Sequence, residues 1–137
     1  MTRWLLKTEP STYSFADLER EGATRWDGVT SNAALKHMRA VRNGDELLVY
    51  HSGDERSAVG VARATSDPRP DPDDPRLVVF DVAPVRRLSR PVSLATIKAD
   101  AAFAGFELVR QPRLSVMPVA DAHWRRILAL AGGGGED

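Results

Sequence analysis

The sequence predicts a single domain of the α+β class, built on a compact, twisted and partly closed sheet. Two observations support this: several short apolar stretches have strand length, and segments with helical periodicity interrupt them. No internal repeat is visible, and 137 residues suffice for one hydrophobic core. We predict that the domain spans residues 1–131 and that residues 132–137 form a flexible, glycine-rich tail.

The first third of the chain predicts a strand and two capped helices. Residues 4–8 start with an apolar run, Trp4 to Leu6, and are predicted to form the first strand. Ser14 is the expected N-cap of a short helix, with Asp17 completing a capping box and Gly22 ending the helix. Thr30 or Ser31 caps the next helix, whose apolar positions are Ala34, Leu35, Met38 and Val41.

The middle of the chain predicts a hairpin and a long strand. Residues 46–51 form a central strand, a polar loop follows, and residues 58–64 form the return strand. Gly60 inside that strand indicates a bend or a close backbone approach. Residues 77–82 form a further strand that continues past Pro84 to Leu88.

The last third predicts two helices around short extended pieces. Ser93 caps a helix with Ile97 on its buried side. Residues 108–110 and 113–117 are expected to be extended, on either side of Gln111 and Pro112. Pro118 and Val119 then open the last helix, whose apolar face comprises Trp124, Ile127, Leu128 and Ala131.

Composition excludes several classes of protein. The hydrophobic content of 42% and the charged content of 28% are those of a soluble globular domain. The chain has no cysteine, which excludes disulfides and thiolate metal sites, and its histidines lack the spacing of metal ligands. No signal peptide or membrane-length apolar run is present. We therefore expect a cytoplasmic protein without metal, cofactor or membrane partner.

The stretch around Trp26 is the strongest candidate for a ligand site. A flat indole stands beside Asp27 and Gly28, and three small polar residues at 30–32 follow at the start of a helix, where backbone N–H groups are free. Stacking of a nucleobase on such a ring is worth roughly 1–3 kcal/mol. The competing interpretation is a core tryptophan, which is the commoner role of a single Trp.

Polar residues end two of the predicted strands and could line the mouth of the same site. Glu9, after the first strand, could accept from an exocyclic amine, or it could form a surface salt bridge. His51 and Ser52, with Asp54, suggest a hydrolase triad only superficially, because they are nearly consecutive and no nucleophile elbow exists.

Charge gives a weaker indication. The formal net charge is zero, which argues against a nonspecific coat on nucleic acid. Basic residues nevertheless outnumber acidic ones between residues 84 and 126, and this excess could form either a phosphate-following face or an ordinary ion-paired surface. Arg110 and Arg113 flank a proline and could clamp a phosphate, or they could be plain surface arginines.

Taken in order, these pieces resemble the EVE domain, a member of the PUA-like group that also contains the YTH readers of methylated adenine. One matching piece is Trp-Asp-Gly-Val at residues 26–29, and it is the ordered set rather than any single piece that is specific. The other matching pieces are residues 4–10, 43–45, 50–52, 59–62, 90–94, 108–110 and 113–119. The resemblance therefore covers nearly the whole chain.

The resemblance implies a PUA-like β pseudo-barrel with flanking helices and a pocket for a flipped-out modified base, with Trp26 as an aromatic cage wall. Many members carry an arginine where this chain has Thr30, so the grip on the backbone is expected to differ. The implied base-binding residues are Lys7, Thr8, Glu9, Trp26, Asp27, Val29, Thr30, Ser31, Asn32, Tyr50, His51, Ser52, Gly53, Leu114, Ser115, Val116 and Met117, with Arg110 and Arg113 on phosphate.

The functional expectation is a monomeric, non-enzymatic reader of nucleic acid. Its ligand would be a methylated or hydroxymethylated cytosine in DNA, or a modified base in RNA. The alternative is a protein that binds or processes a free nucleotide or nucleoside in the same pocket, with Glu9, Asp27 or His51 as the general base.

Overall fold

The computed structural model describes residues 2–132. Of the predicted tail at residues 132–137, only Gly132 falls in this range, and the rest lies outside the described residues. No helix within residues 2–132 is both long and apolar enough to cross a membrane.

Strands and helices are interspersed along the described chain, with four successive strands in its middle. The strands are β1 (Arg3–Thr8), β2 (Thr24–Trp26), β3 (Glu46–His51), β4 (Ser57–Ala64), β5 (Arg69–Pro70), β6 (Val78–Ser93) and β7 (Val116–Pro118). The helices are α1 (Phe15–Glu21), α2 (Asn32–Ala40), α3 (Leu94–Lys98), α4 (Glu107–Arg110) and α5 (Asp121–Leu130), with a short 3-10 helix at Ala101–Phe103.

One mixed sheet organises the molecule. Its strand order is β2-β6-β4-β3-β1-β7, with β5 pairing to β6 off this path. The β1–β3 pair is parallel and the other pairs are antiparallel. Because β6 is 16 residues long and its register with β4 shifts twice, the sheet bends and curls around the core. The predicted α+β class is confirmed.

Local sequence signals set the starts of α1, α2 and α3 and the end of α1. Ser14 and Asp17 form the predicted capping box, and Gly22 adopts the left-handed conformation that ends α1. Ser31 and Ser93 cap α2 and α3 by accepting backbone N–H groups. These short-range predictions are confirmed because each cap depends only on residues three or four positions away.

Gly60 marks a close approach, as its position in a strand predicts. A Cβ built there would lie 2.4 Å from Cε1 of Phe15, a ring that is fully buried. Only glycine lets α1 lie this close to β4. The contact fixes the first turn of α1 against the sheet.

Two predictions about the chain's course are wrong, and one strand was not predicted. Residues 108–110 are helical, because the carbonyl of Phe106 accepts from the N–H groups of Val109 and Arg110 while Leu108 enters the core. Pro118 belongs to β7, opposite Trp4, and α5 begins only at Asp121. The short strand β2 was not predicted, since its three residues form a strand by pairing with β6.

Candidate functional site

A cavity of about 640 Å³ lies where the end of β1, the segment before α1, β2 and the start of α2 meet. We call it the base cavity. Most of its lining comes from two stretches of chain, residues 7–13 and 24–31. Its lining residues are Lys7, Thr8, Glu9, Thr12, Tyr13, Thr24, Arg25, Trp26, Asp27, Gly28, Val29, Thr30, Ser31 and Ser115.

Trp26 forms an apolar wall of the base cavity. It ends β2, opposite Phe80 of β6, and it is only 7% exposed. The structure therefore combines the two interpretations of this residue, because the indole belongs to the core and also lines the cavity.

Tyr13 is a second aromatic wall, and the sequence pattern did not predict it. Its ring meets Trp26 edge to face, with 6.3 Å between the ring centroids and an interplanar angle of 86°. Its hydroxyl donates to Oε1 of Glu21 at 2.8 Å, and its carbonyl accepts from Oγ1 of Thr8 at 2.6 Å. Burial raises the pKa of Tyr13, so it keeps its proton at neutral pH. Its only sequence signal is an aromatic just before the Ser14 cap.

Lys7 joins the base cavity to the segment before β7. Its Nζ donates to the carbonyl of Pro112 at 2.8 Å and lies 5.7 Å from the ring centroid of Tyr50. Its backbone N–H donates to the carbonyl of Ser115 at 2.9 Å. Burial lowers the pKa of Lys7 because the charged ammonium is less well solvated there. Lys7 thus brings a cation to one side of the cavity and holds Ser115 in the lining.

Carboxylates form part of the cavity rim. Oε2 of Glu9 accepts from the backbone N–H and hydroxyl of Ser11, at 3.1 and 3.2 Å. Asp27 approaches Arg25 at 3.4 Å. Both carboxylates are exposed, so each keeps acceptor capacity toward a ligand.

The turn after Trp26 supplies small polar groups. Gly28 adopts a φ of +77°, which an L-residue with a side chain rarely does, and this turns the chain toward α2. Thr30 and Ser31 then line the cavity, and Ser31 also caps α2 by accepting from the N–H of Ala34 at 3.4 Å. Asn32 is exposed on α2 and is not part of the lining.

His51 is placed outside the base cavity and takes part in packing. Its Nε2 accepts from the backbone N–H of Phe15 at 3.0 Å, which assigns the proton to Nδ1, and Nδ1 lies 2.8 Å from Oε1 of Glu55. The ring is 7% exposed. His51 therefore holds the start of α1 on the end of β3.

Other predicted contact residues also lie outside the lining. Ser52 and Gly53 lie beyond the end of β3, and a Cβ on Gly53 would lie 2.8 Å from Oε1 of Glu9. The remainder are buried side chains of the sheet or its flanks: Tyr50, Leu114, Val116 and Met117. They face the core because strand pairing fixes which side of the sheet each residue faces.

A smaller groove of about 370 Å³ shares Ser31 with the base cavity. Arg113 and Gln111 line it. Arg113 makes no hydrogen bond or ion pair within residues 2–132, whereas Arg110 is paired with Glu107 at 3.1 Å. The two predicted phosphate ligands therefore differ, and only Arg113 has its charge available beside the cavity.

The basic stretch between residues 84 and 126 does not form one uniform face. Arg87 pairs with Glu19 of α1, and Arg126 pairs with Asp100 at 2.8 Å. Arg90 donates to the carbonyl of Leu130 at 3.2 Å. These contacts match the interpretation as an ordinary ion-paired surface. Within the described residues, no group of three or more acidic or histidine side chains could hold a metal ion.

The family model described as the EVE domain matches residues 2–130, nearly the whole chain. The chain belongs to the EVE domain family. Thymocyte nuclear protein 1 of Rattus norvegicus is 30% identical to this EVE domain over 163 aligned positions, which cover 93% of the chain and 72% of the rat protein.

Solved structures agree with this assignment. An NMR structure from Rhodopseudomonas palustris is 34% identical, with a TM-score of 0.91 over 96% of this EVE domain and 94% of that chain. The human THYN1 protein, solved with 5-methylcytosine-containing DNA, is 24% identical, with a TM-score of 0.89 over 96% and 98% of the two chains. The fold expected from the resemblance, a PUA-like curled sheet with flanking helices, is confirmed.

Proposed function

We propose that this EVE domain is a non-enzymatic reader that takes a flipped-out modified base into the base cavity. The observation that carries the proposal is the cavity itself, in which two aromatic rings, Trp26 and Tyr13, stand opposite a polar rim. A volume of about 640 Å³ suits a small planar ligand. The human THYN1 protein was solved with 5-methylcytosine DNA, so modified cytosine in DNA is the first candidate and a modified RNA base the second.

The division of labour within the cavity follows from its chemistry. The rings of Trp26 and Tyr13 offer apolar surface to the base and to an added methyl group. Glu9 and Asp27 can accept from an exocyclic amine, while Thr30 and Ser31 can donate or accept at the base edge. Extrusion of a base costs a few kcal/mol, least when the base is already unpaired, and stacking offsets part of that cost.

The groove beside the base cavity would bind the phosphate backbone of the nucleic acid. Arg113 lines this groove with an uncompensated charge, and a guanidinium can bind a phosphate through two parallel N–H groups. Arg110, already paired with Glu107, is the weaker candidate. Thr30 offers no charge where many relatives of the family carry arginine, so Arg113 is the more important cation in this chain.

The candidates for a general base favour binding over turnover. His51 is buried, with one ring nitrogen on Phe15 and the other beside Glu55. Glu9 and Asp27 are exposed carboxylates on the rim that keep acceptor capacity, which is what a contact to an exocyclic amine requires. Turnover would also need a general base held against the reacting atom. Because both ring nitrogens of His51 are engaged and the two carboxylates suit recognition of a base edge, we favour binding over processing of a free nucleoside.

Intrinsic fluorescence tests the proposal. The protein is titrated with single- and double-stranded oligonucleotides that carry plain or modified cytosine or adenine, and with the corresponding free nucleosides. We expect quenching that depends on the modification and disappears in Trp26→Phe, whose remaining indoles, Trp4 and Trp124, serve as internal controls. Equal quenching by plain and modified strands would refute the base-reader function. A response to nucleosides alone would support the alternative, binding or processing of a free nucleoside.

A further inference from the structure

A second depression, which we call the arginine cleft, lies between the end of α2 and the loop that carries β5. Its volume is about 510 Å³. Arg39, Arg42 and Arg69 line it, together with apolar residues that include Leu77 and Val78. The base cavity and the arginine cleft share no lining residue.

The charges of the arginine cleft are only partly compensated. Arg39 makes no side-chain hydrogen bond or ion pair within residues 2–132. Arg42 uses Nη1 on the carbonyls of Arg39 and Val41, at 2.8 and 2.7 Å, and both acceptors are neutral. Arg69 is paired with Asp81 at 2.9 Å.

A single carboxylate, that of Asp67, lines the arginine cleft, and it already accepts from the backbone N–H of Asn43 at 2.9 Å. Two cations thus remain in the cleft without an anionic partner: Arg39 and Arg42. The cleft has the charge that attracts an anion.

The arginine cleft lies along the same corner of the fold as the base cavity. Helix α2 contacts β6, and its N-cap, Ser31, lines the base cavity while Arg39, in its last turn, lines the cleft. Eight residues of helix separate the two positions by roughly 12 Å. On the sheet, Val78 lies two residues before Phe80, which is paired with Trp26. Helix α2 and the β2–β6 strand pair therefore both connect the base cavity with the arginine cleft.

We propose that the arginine cleft binds a backbone phosphate of the same nucleic acid whose base enters the base cavity. The proposal rests on the function proposed above. Phosphates on one DNA strand are spaced about 3.4 Å apart along the helix axis, so roughly 12 Å corresponds to three or four nucleotides. Arg39 and Arg42 supply planar donors suited to phosphate oxygens. Phosphate is favoured over an acidic peptide because the cleft continues the path of the base cavity.

The test compares Arg39→Gln with Arg125→Gln. Arg125 is an exposed arginine on α5 that also makes no side-chain hydrogen bond or ion pair in the described chain, so the two changes remove the same charge from different faces. Fluorescence anisotropy measures binding of a labelled duplex with one central modified cytosine between 0.05 and about 0.3 M salt.

The affinity constant K falls as salt rises, and loss of one phosphate contact should make this slope of log K against log salt shallower by about 0.9. At 0.15 M salt this corresponds to roughly a five-fold weaker affinity. We expect this loss for Arg39→Gln, an unchanged preference for the modified base, and wild-type behaviour for Arg125→Gln. A three-nucleotide single strand centred on the modified base, too short to reach the arginine cleft, should bind wild type and Arg39→Gln equally.

An unchanged salt slope in Arg39→Gln would refute the phosphate-binding role of the cleft without affecting the proposed base reader. Binding of an acidic peptide that depends on Arg39 but does not displace DNA would refute that role as well. Conversely, a wild-type protein that binds DNA without preferring the modified base would refute the proposed reader function. The difference in salt slope between wild type and Arg39→Gln would still test phosphate binding in the cleft. If no oligonucleotide binds, NMR of the Arg39 side-chain N–H during titration with pyrophosphate shows whether the cleft binds phosphate at all. A shift would reassign the cleft to free phosphate, and no shift would exclude phosphate altogether.

Discussion

Trp26→Ala is the perturbation that separates the two roles of this ring. A tryptophan buries roughly 150–250 Å², which at about 25 cal/mol per Å² corresponds to some 4–6 kcal/mol. Because Trp26 is 7% exposed, nearly all of this contribution applies, and alanine retains a small part of it. We therefore expect the variant to lose about 3–5 kcal/mol of unfolding free energy, a large share of the 5–15 kcal/mol that holds a typical domain.

A matched variant makes the binding result interpretable. Trp124 is 4% exposed and packs in the same core, with Arg3 5.4 Å from its ring centroid, but it lies outside the base cavity. Trp124→Ala should lose a similar amount of stability and keep its preference for a modified base. Trp26→Ala should lose that preference, and its affinity should fall by the 1–3 kcal/mol of one stacking contact, roughly 5- to 150-fold.

Urea unfolding followed by circular dichroism gives the two stabilities, and anisotropy of a labelled oligonucleotide gives the affinities at a temperature where both variants are folded. The reasoning fails if Trp26→Ala still discriminates between modified and plain bases. It fails equally if Trp124→Ala loses discrimination to the same degree, because the effect would then come from general destabilisation.

Three further changes test other parts of the structure. Gly60→Ala should cost about 1–3 kcal/mol in urea unfolding, because its methyl would overlap the buried ring of Phe15, and wild-type stability would contradict that contact. A backbone N–H at the α1 cap and a neighbouring arginine lower the pKa of Asp17, so its stabilisation is full above about pH 4 and is lost as the pH falls through the lower folded pKa. The stability gap to Asp17→Asn should close over that range, and a pH-independent gap would refute the assignment. Tyr13→Phe should keep base discrimination while Tyr13→Ala loses it, since the ring forms the wall and the hydroxyl only reaches Glu21; loss in both would assign the role to the hydroxyl.

Several features of the site could be predicted from the sequence because they are local. Trp26, Gly28 and Ser31 fall within six residues, so a ring, a left-handed turn and a helix cap are necessarily neighbours in space. The end of β1 was also placed correctly, because Pro10 lacks the backbone N–H that a continuing strand would need. The ordered motifs indicated the family, and the family indicated the curled sheet.

Other parts of the site could not be predicted because they depend on packing between distant segments. Tyr13 meets Trp26 only after α1 docks on the sheet, a step that requires the missing side chain at Gly60. His51 was predicted to be a pocket residue, yet its Nε2 accepts a hydrogen bond from the backbone N–H of Phe15 in the docked helix.

The sequence by itself determined the caps, the longer strands and the family, because short-range hydrogen bonding and apolar periodicity are encoded within a few residues. Only the tertiary structure decided which polar residues face a cavity and which are buried. It also brought Arg39 and Arg42 together with Arg69, nearly thirty residues later, in the lining of one cleft. The physical reason is that strand register and helix docking fix which way each side chain faces, and both arise from contacts between residues far apart in the chain.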